Sequence, residues 1–244
     1  MRGISQLVQW KFMRKTLRGT VSFVVLVLIL IPIAGMKAND EWDALVESDY
    51  EAQALAVNEG ELEFLSELPD KLPPVLQNRF TISAQSLKDG WVDMVQCHER
   101  LDPVAKAQVL YYPRRTRNIE ILSSNNIQRS WVENNSVQLE NIGANATLCI
   151  HAEVKSLYSN FNGSYSMRNG PFLRKFLDGY YPMRVTMDVT FPQGKLSFEA
   201  INPQAQNGFD VQFEENKMNI EALFVGELEI EVYFTDLTGS SEEG

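Results

Sequence analysis

Only two histidines and two cysteines occur among the 244 residues, and that scarcity excludes more than it allows. Two histidines leave little room for a nucleophile–base–acid triad, and no G-x-S-x-G elbow accompanies them. There is no C-x-x-C redox pair, no C-x-x-C-H haem signature and no glycine-rich phosphate cradle. A glycosidase-type carboxylate pair cannot be picked out from 32 acidic residues. The reading is therefore non-enzymatic, with no cofactor. Charge of one sign is also missing over long stretches. Residues 1–38 contain no acidic side chain, and residues 39–70 contain no basic one.

The first of these stretches carries an address. Arg2, Lys11, Arg14, Lys15 and Arg18 precede the apolar run VSFVVLVLILIPIAG at 21–35. That is the charge order of a secretory signal, and the run is shorter than the roughly 20 residues a spanning helix needs. Met13 offers a second start, since MRKTLRGTVSF has the form of a signal on its own. Cleavage after residue 38 is expected, with an uncleaved N-terminal anchor as the alternative. The protein is thus expected to be exported, periplasmic or extracellular, and to touch a membrane only through an uncleaved segment. Residues 1–38 hold six of the 22 basic residues, so a product beginning at Asn39 carries a net charge of −16. Such a chain does not seek nucleic acid or anionic lipid through its overall field, and a charged partner should be basic or a cation.

The second stretch reads as an acidic leader and linker over 39–77. Trp42, Leu45, Val46 and Tyr50 fall near helical spacing, so 40–57 is either a short amphipathic helix that docks on a partner or a solvated, disordered leader. LPDKLPP at 68–74 is a proline-rich linker and a domain boundary.

Beyond it, period-two alternation predicts a mainly β protein. Ala146, Leu148, Ile150, Ala152 and Val154 share one strand face, as do Met183, Val185, Met187, Val189 and Phe191. Leu196, Phe198 and Ala200 repeat the pattern. The even positions from Met218 to Phe234 are apolar except for Gly226, which reads as a break or as a bulge where one long strand changes sheets. Segments 91–97, 107–113, 117–123 and 130–142 read as further strands or hairpins. Between the halves, NGPFLRKFLDG at 169–179 has the punctuation of a small helix, with Pro171 at its first position and Gly179 past its end. The expected architecture is two antiparallel β-sandwich-like units, 78–160 and 180–236, joined by a 161–179 linker with that helix and followed by a disordered tail, 237–244. One continuous sandwich is the alternative.

The cysteines and histidines lie in two tight pairs, Cys97 with His98 and Cys149 with His151. Export permits a disulfide, and a structural Cys97–Cys149 bridge between strands is the expectation. The rival is a copper or zinc site using Cys97, His98, Cys149 and His151, although the spacing departs from the usual gaps between paired ligands.

Two segments suggest binding. LYYPRRTRN gathers Tyr111, Tyr112, Arg114, Arg115 and Arg117 in an otherwise acidic protein, and Tyr and Arg are the side chains interfaces favour. LDGYYPMR at 177–184 repeats the Tyr-Tyr-Pro tripeptide, which alone establishes no repeat. With Trp42 of the leader, the first segment forms the candidate partner surface. Trp91, Trp131 or Tyr181 would serve a weaker alternative, a glycan platform, although core packing explains such aromatics as well. Sequons occur at Asn134, Asn145 and Asn162. The functional expectation is an exported protein that binds or scaffolds other envelope or extracellular proteins, with metal binding or delivery as the alternative.

Overall fold

The computed structural model describes residues 8–9, 60–160, 163–176 and 179–237. The expectations for the signal segment (Val8–Gln9 apart), for the leader through residue 59 and for the tail beyond Leu237 lie outside these residues.

The alternation seen in the sequence becomes strands. They are β1 (Val8–Gln9), β2 (Glu63–Phe64), β3 (Val75–Thr81), β4 (Trp91–Leu101), β5 (Lys106–Leu110), β6 (Thr116–Glu133), β7 (Ser136–Lys155), β8 (Leu157–Ser159), β9 (Tyr165–Phe172), β10 (Lys175–Phe176), β11 (Gly179–Tyr180), β12 (Met183–Thr190), β13 (Leu196–Asn202), β14 (Phe209–Glu214), β15 (Lys217–Val225) and β16 (Leu228–Asp236). A single helical turn, α1 (Ser86–Asp89), separates β3 from β4. The large sheet runs β1–β5–β7–β4–β3–β12–β15–β14, with β6 along the other side of β7 and β2 added to the end of β15. A second sheet runs β13–β16–β9–β8, and β10 with β11 forms a small hairpin.

The faces fall as period two requires in β7, β12, β15 and β16, whereas in β13 a register shift between Phe198 and Ala200 leaves Ala200 exposed. Ala146, Leu148, Ile150, Ala152 and Val154 are buried, as are Met183, Val185, Met187, Val189 and Phe191. Every even position from Met218 to Phe234 is buried as well. Side chains of both sheets belong to one hydrophobic core: Val185, Met187 and Ile220 of the large sheet join Met167, Phe172, Ile230 and Val232 of the small one. Phe191 and Phe234 meet across it with ring centroids 5.3 Å apart.

Three expectations need correcting. The division into 78–160 and 180–236 does not describe the sheets, because β12 of the second half pairs in parallel with β3, Arg184 opposite Val75 through Thr190 opposite Thr81. Among the described residues of 169–179 there is no helix. Residues through Phe172 are strand β9, paired with β16, and Lys175–Phe176 pairs with Gly179–Tyr180 as β10 and β11. Backbone pairing with Leu228–Phe234 outweighs a helix supported by local signals alone, Pro171 and Gly179 as punctuation and an apolar side between them. Finally, the linker region is not free of the body. Phe64 and Glu63 pair with Phe224 and Val225, the Leu65 amide donates to the Leu223 carbonyl, and the Phe64 ring lies 5.1 Å from that of Phe209.

Gly226 is a break between two strands, and the change of sheets suggested for a bulge occurs at it. It sits between β15 in one sheet and β16 in the other, so the chain changes sheets there. Its φ is +97°, and a Cβ added to it would stand 2.0 Å from the Glu61 carbonyl oxygen. Only glycine accepts that backbone and that approach. Gly226→Ala is expected to cost about 2 kcal/mol for the left-handed residue and to push 60–65 off the β15 edge. Hydrogen exchange at the Leu65 amide reports it: protection falls while that of β4 amides is kept.

Candidate functional site

The Cys/His pairs are resolved by strand parity. Cys97 and Cys149 are directly opposite on neighbouring strands β4 and β7, with Cα atoms 4.1 Å apart, and are joined as a disulfide. The bridge therefore staples adjacent strands of one sheet. It suits an oxidising compartment, and no helix among the described residues is long and apolar enough to cross a membrane. Because β4 continues to Leu101, His98 points to the face opposite Cys97 and is buried, 5% exposed. His151 shares the outer face with Cys149, and its Nε2 lies 2.7 Å from Asp93 Oδ2. The thiols are bonded to each other and the two imidazoles lie on opposite faces of the sheet, so the four-ligand set is not assembled.

His98 belongs to a polar cluster in the core. Gln96 Nε2 donates to Asn78 Oδ1 at 2.9 Å, and Tyr111 OH donates to Gln96 Oε1 at 2.9 Å. His98 Nε2 approaches the same oxygen at 3.3 Å. An amide oxygen only accepts, so Nε2 carries the proton. Burial alone pushes His98 down to about 4 and pushes the Tyr111 phenol up. Both groups are held neutral, and neither meets solvent as an acid or base. Sequence reasoning missed the cluster. The signal that finds it is parity with Val92 and Met94, which carries Gln96 and His98 inward.

The Tyr/Arg segment is divided by the same burial. Tyr111 is 4% exposed and is a core residue bonded to Gln96, so it is withdrawn from the partner surface. Tyr112, at 48% exposed, stays outside. Arg114 is exposed, and Arg115 lies 5.8 Å from the ring centroids of both Tyr112 and Tyr158. Arg117 pairs with Glu153 and covers the Trp91 ring at 4.1 Å. The structure thus brings Tyr112, Arg114, Arg115 and Arg117 to the Trp91 end of β4. Trp42 lies outside the described residues. The aromatics of the glycan alternative are separated: Arg117 covers Trp91, Arg129 covers Trp131 at 4.4 Å, and Tyr181 is at the far end of the sheet beside Arg174.

That far end holds a cleft of about 680 Å³. It forms where the proline segment before β3, the turn after β4, the bend of β7 and the chain around the β10–β11 hairpin converge. Five of the residues lining it are prolines: 69, 73, 74, 103 and 182. Arg174 forms a fork on Asp102, Nη2 to Oδ1 at 2.9 Å and Nε to Oδ2 at 3.2 Å. The same guanidinium lies 5.1 Å from the Phe176 ring centroid and 5.5 Å from that of Tyr181. Sequence reading missed this site because its walls come from four separate segments.

Neither a scan against protein-family models nor a search of curated proteins finds a match to the chain.

Proposed function

We propose that the chain is an exported, non-catalytic β-sandwich protein that binds or scaffolds another envelope or extracellular protein. The contact surface is Tyr112, Arg114 and Arg115, with Arg117 at its margin. The observation that supports this is the Arg115 guanidinium set beside Tyr112 and Tyr158, next to Arg114, on the turn between β5 and β6. Aromatic faces and guanidinium groups held in place by neighbours lose little entropy on binding, and they dominate measured interface energies. The residues they would meet are carboxylates and aromatic rings. The net charge of −16 on the processed chain, by contrast, favours a partner that is basic overall.

A photo-crosslinking residue at position 112, in protein expressed in its native compartment, tests the reading. A discrete adduct is expected there and none from position 197, an exposed site on β13. Reversing Arg114 and Arg115 to glutamate should reduce the adduct about 30-fold, the loss of one interface hot spot of about 2 kcal/mol. Equal adducts at 112 and 197, or an adduct indifferent to both reversals, would overturn it.

A further inference from the structure

The cleft lies at the opposite end of β4 from the Tyr/Arg surface, about 35 Å away by the rise of an 11-residue strand. It differs from that surface in shape and in chemistry. At about 680 Å³ it is a concave site of the size that takes small ligands, whereas protein interfaces are broad and shallow. Its prolines fix the wall backbone in advance, so an occupant orders little on entry. Leu72, 55% exposed, and the buried Leu101 add apolar surface.

The charge on these walls runs against that of the chain. Lys71, Arg100 and Arg174 face the cleft, with Asp102 as the one carboxylate. Asp102 is already neutralised by the Arg174 fork. Lys71 has no ion-pair partner among the described residues. Arg100 donates Nε to the Pro73 carbonyl at 2.9 Å, which pins its guanidinium to the segment that carries Lys71. Among the described residues, Glu99, 4.0 Å from Arg100 Nη1, is the one anion within ion-pair distance of it. An apolar trough with two cations still able to bind matches a ligand with an apolar body and a single anionic group.

We infer that the cleft is a binding site for a monomeric acyl carboxylate. The alkyl chain lies along the proline and leucine walls, and the carboxylate meets Lys71 and the free edge of Arg100. A planar carboxylate suits a guanidinium edge, and one negative charge is what the two cations complement beside Glu99. A phosphate dianion would bring more charge and acceptors than these groups satisfy. This site is independent of the protein-binding reading and stands or falls separately from it.

Titration of the isotope-labelled, processed protein with dodecanoate below its micelle concentration, followed by amide chemical shifts, tests the inference. Saturable shifts are expected at Leu72, Leu101 and Ala144. Dodecanol should bind about tenfold more weakly, the size of one charge-assisted contact. The K71E/R100E variant should lose the same factor for dodecanoate and nothing for dodecanol. Ala144 is exposed on the wall, so Ala144→Trp should fill the trough and remove binding of both while shifts elsewhere in the spectrum are kept. Failure to saturate, equal binding of dodecyltrimethylammonium, or shifts seen only with anionic phospholipid vesicles would each overturn it.

Discussion

Replacing Cys97 and Cys149 together by alanine is expected to lower the free energy of unfolding by about 4 kcal/mol, the chain-entropy value for a loop of this length. The bridge spans 52 positions of sequence, and β5, β6 and most of β7 lie inside that loop. In the folded protein the two residues face each other across β4 and β7, and the pairing continues on both sides, from Trp91 opposite Lys155 to Leu101 opposite Ala146. The ladder therefore survives removal of the sulfurs, and the loss comes from the freedom the unfolded chain regains. Alanine is the appropriate replacement because Cys97 is only 8% exposed and a serine hydroxyl there would have to be satisfied. Urea unfolding of the oxidised protein, the reduced protein and C97A/C149A checks this. The two forms without a bridge should lie close together, with a lower midpoint and a slope at least as steep as that of the oxidised protein. A difference below about 1 kcal/mol would mean that the open chain already holds β4 and β7 together.

What the sequence revealed of this fold is what alternation encodes. Leu148 and Ile150 place Cys149 and His151 on the outer face, and the structure agrees. The even residues of 218–234 face the core on both sides of Gly226, although the two strands belong to different sheets. Pairing over long separations was not legible. Nothing in VLQNRFT shows that β3 will lie parallel to β12, more than a hundred residues later, because side-chain parity fixes a face and not a neighbour. That pairing merges the two expected units in the large sheet, and β8 joins β13 and β16 through β9 in the small one.

The failed helix has a different cause. Buried positions of β9 include Ser166, Asn169 and Gly170, which are polar or minimal and break up the hydrophobic signal of Met167 and Phe172. Gly170 is required by proximity, since a Cβ there would stand 2.7 Å from the Leu228 carbonyl oxygen. Pro171 beside it coincides with the register shift between Leu228 and Ile230, where a missing N–H is tolerated. Phe172, Leu173 and Phe176, adjacent to Pro171, then imitate a capped helix. The partner surface was half legible for a related reason. Tyr111 and Tyr112 are adjacent where the chain leaves β5, and one is core while the other is surface. The cleft was invisible to a linear reading, since Lys71, Arg100 and Arg174 meet only in the folded chain.

The inward turn of His98 has a measurable consequence. Its pKa, normally 6.5, is lowered to about 4 by burial, and Gln96 and Tyr111 offer hydrogen-bonding groups but no charge to stabilise an imidazolium. Glu99 and Asp102 line the small apolar pocket that His98 also faces, but Asp102 is committed to Arg174. In the unfolded chain the ring binds a proton near pH 6.5, while in the folded protein it does so only near pH 4. Between these values the unfolded state holds more protons, so stability must fall as the pH is lowered. Above 6.5 the ring costs nothing. Below it the loss grows at about 1.4 kcal/mol per pH unit and levels off near pH 4 at about 3 kcal/mol. Surface carboxylates add their own acid dependence, which a comparison removes. His98→Gln keeps a donor for Gln96 Oε1 and does not titrate, so its stability should fall less steeply than that of the wild type from pH 6.5 to 4.5. Urea midpoints at pH 7.5, 6.0 and 4.5 give the difference. The variant is expected to be equal or somewhat less stable at pH 7.5 and to recover about 2 kcal/mol relative to wild type by pH 4.5. Parallel curves would show that the folded protein accommodates a charged His98, and that its burial is not what sets acid sensitivity.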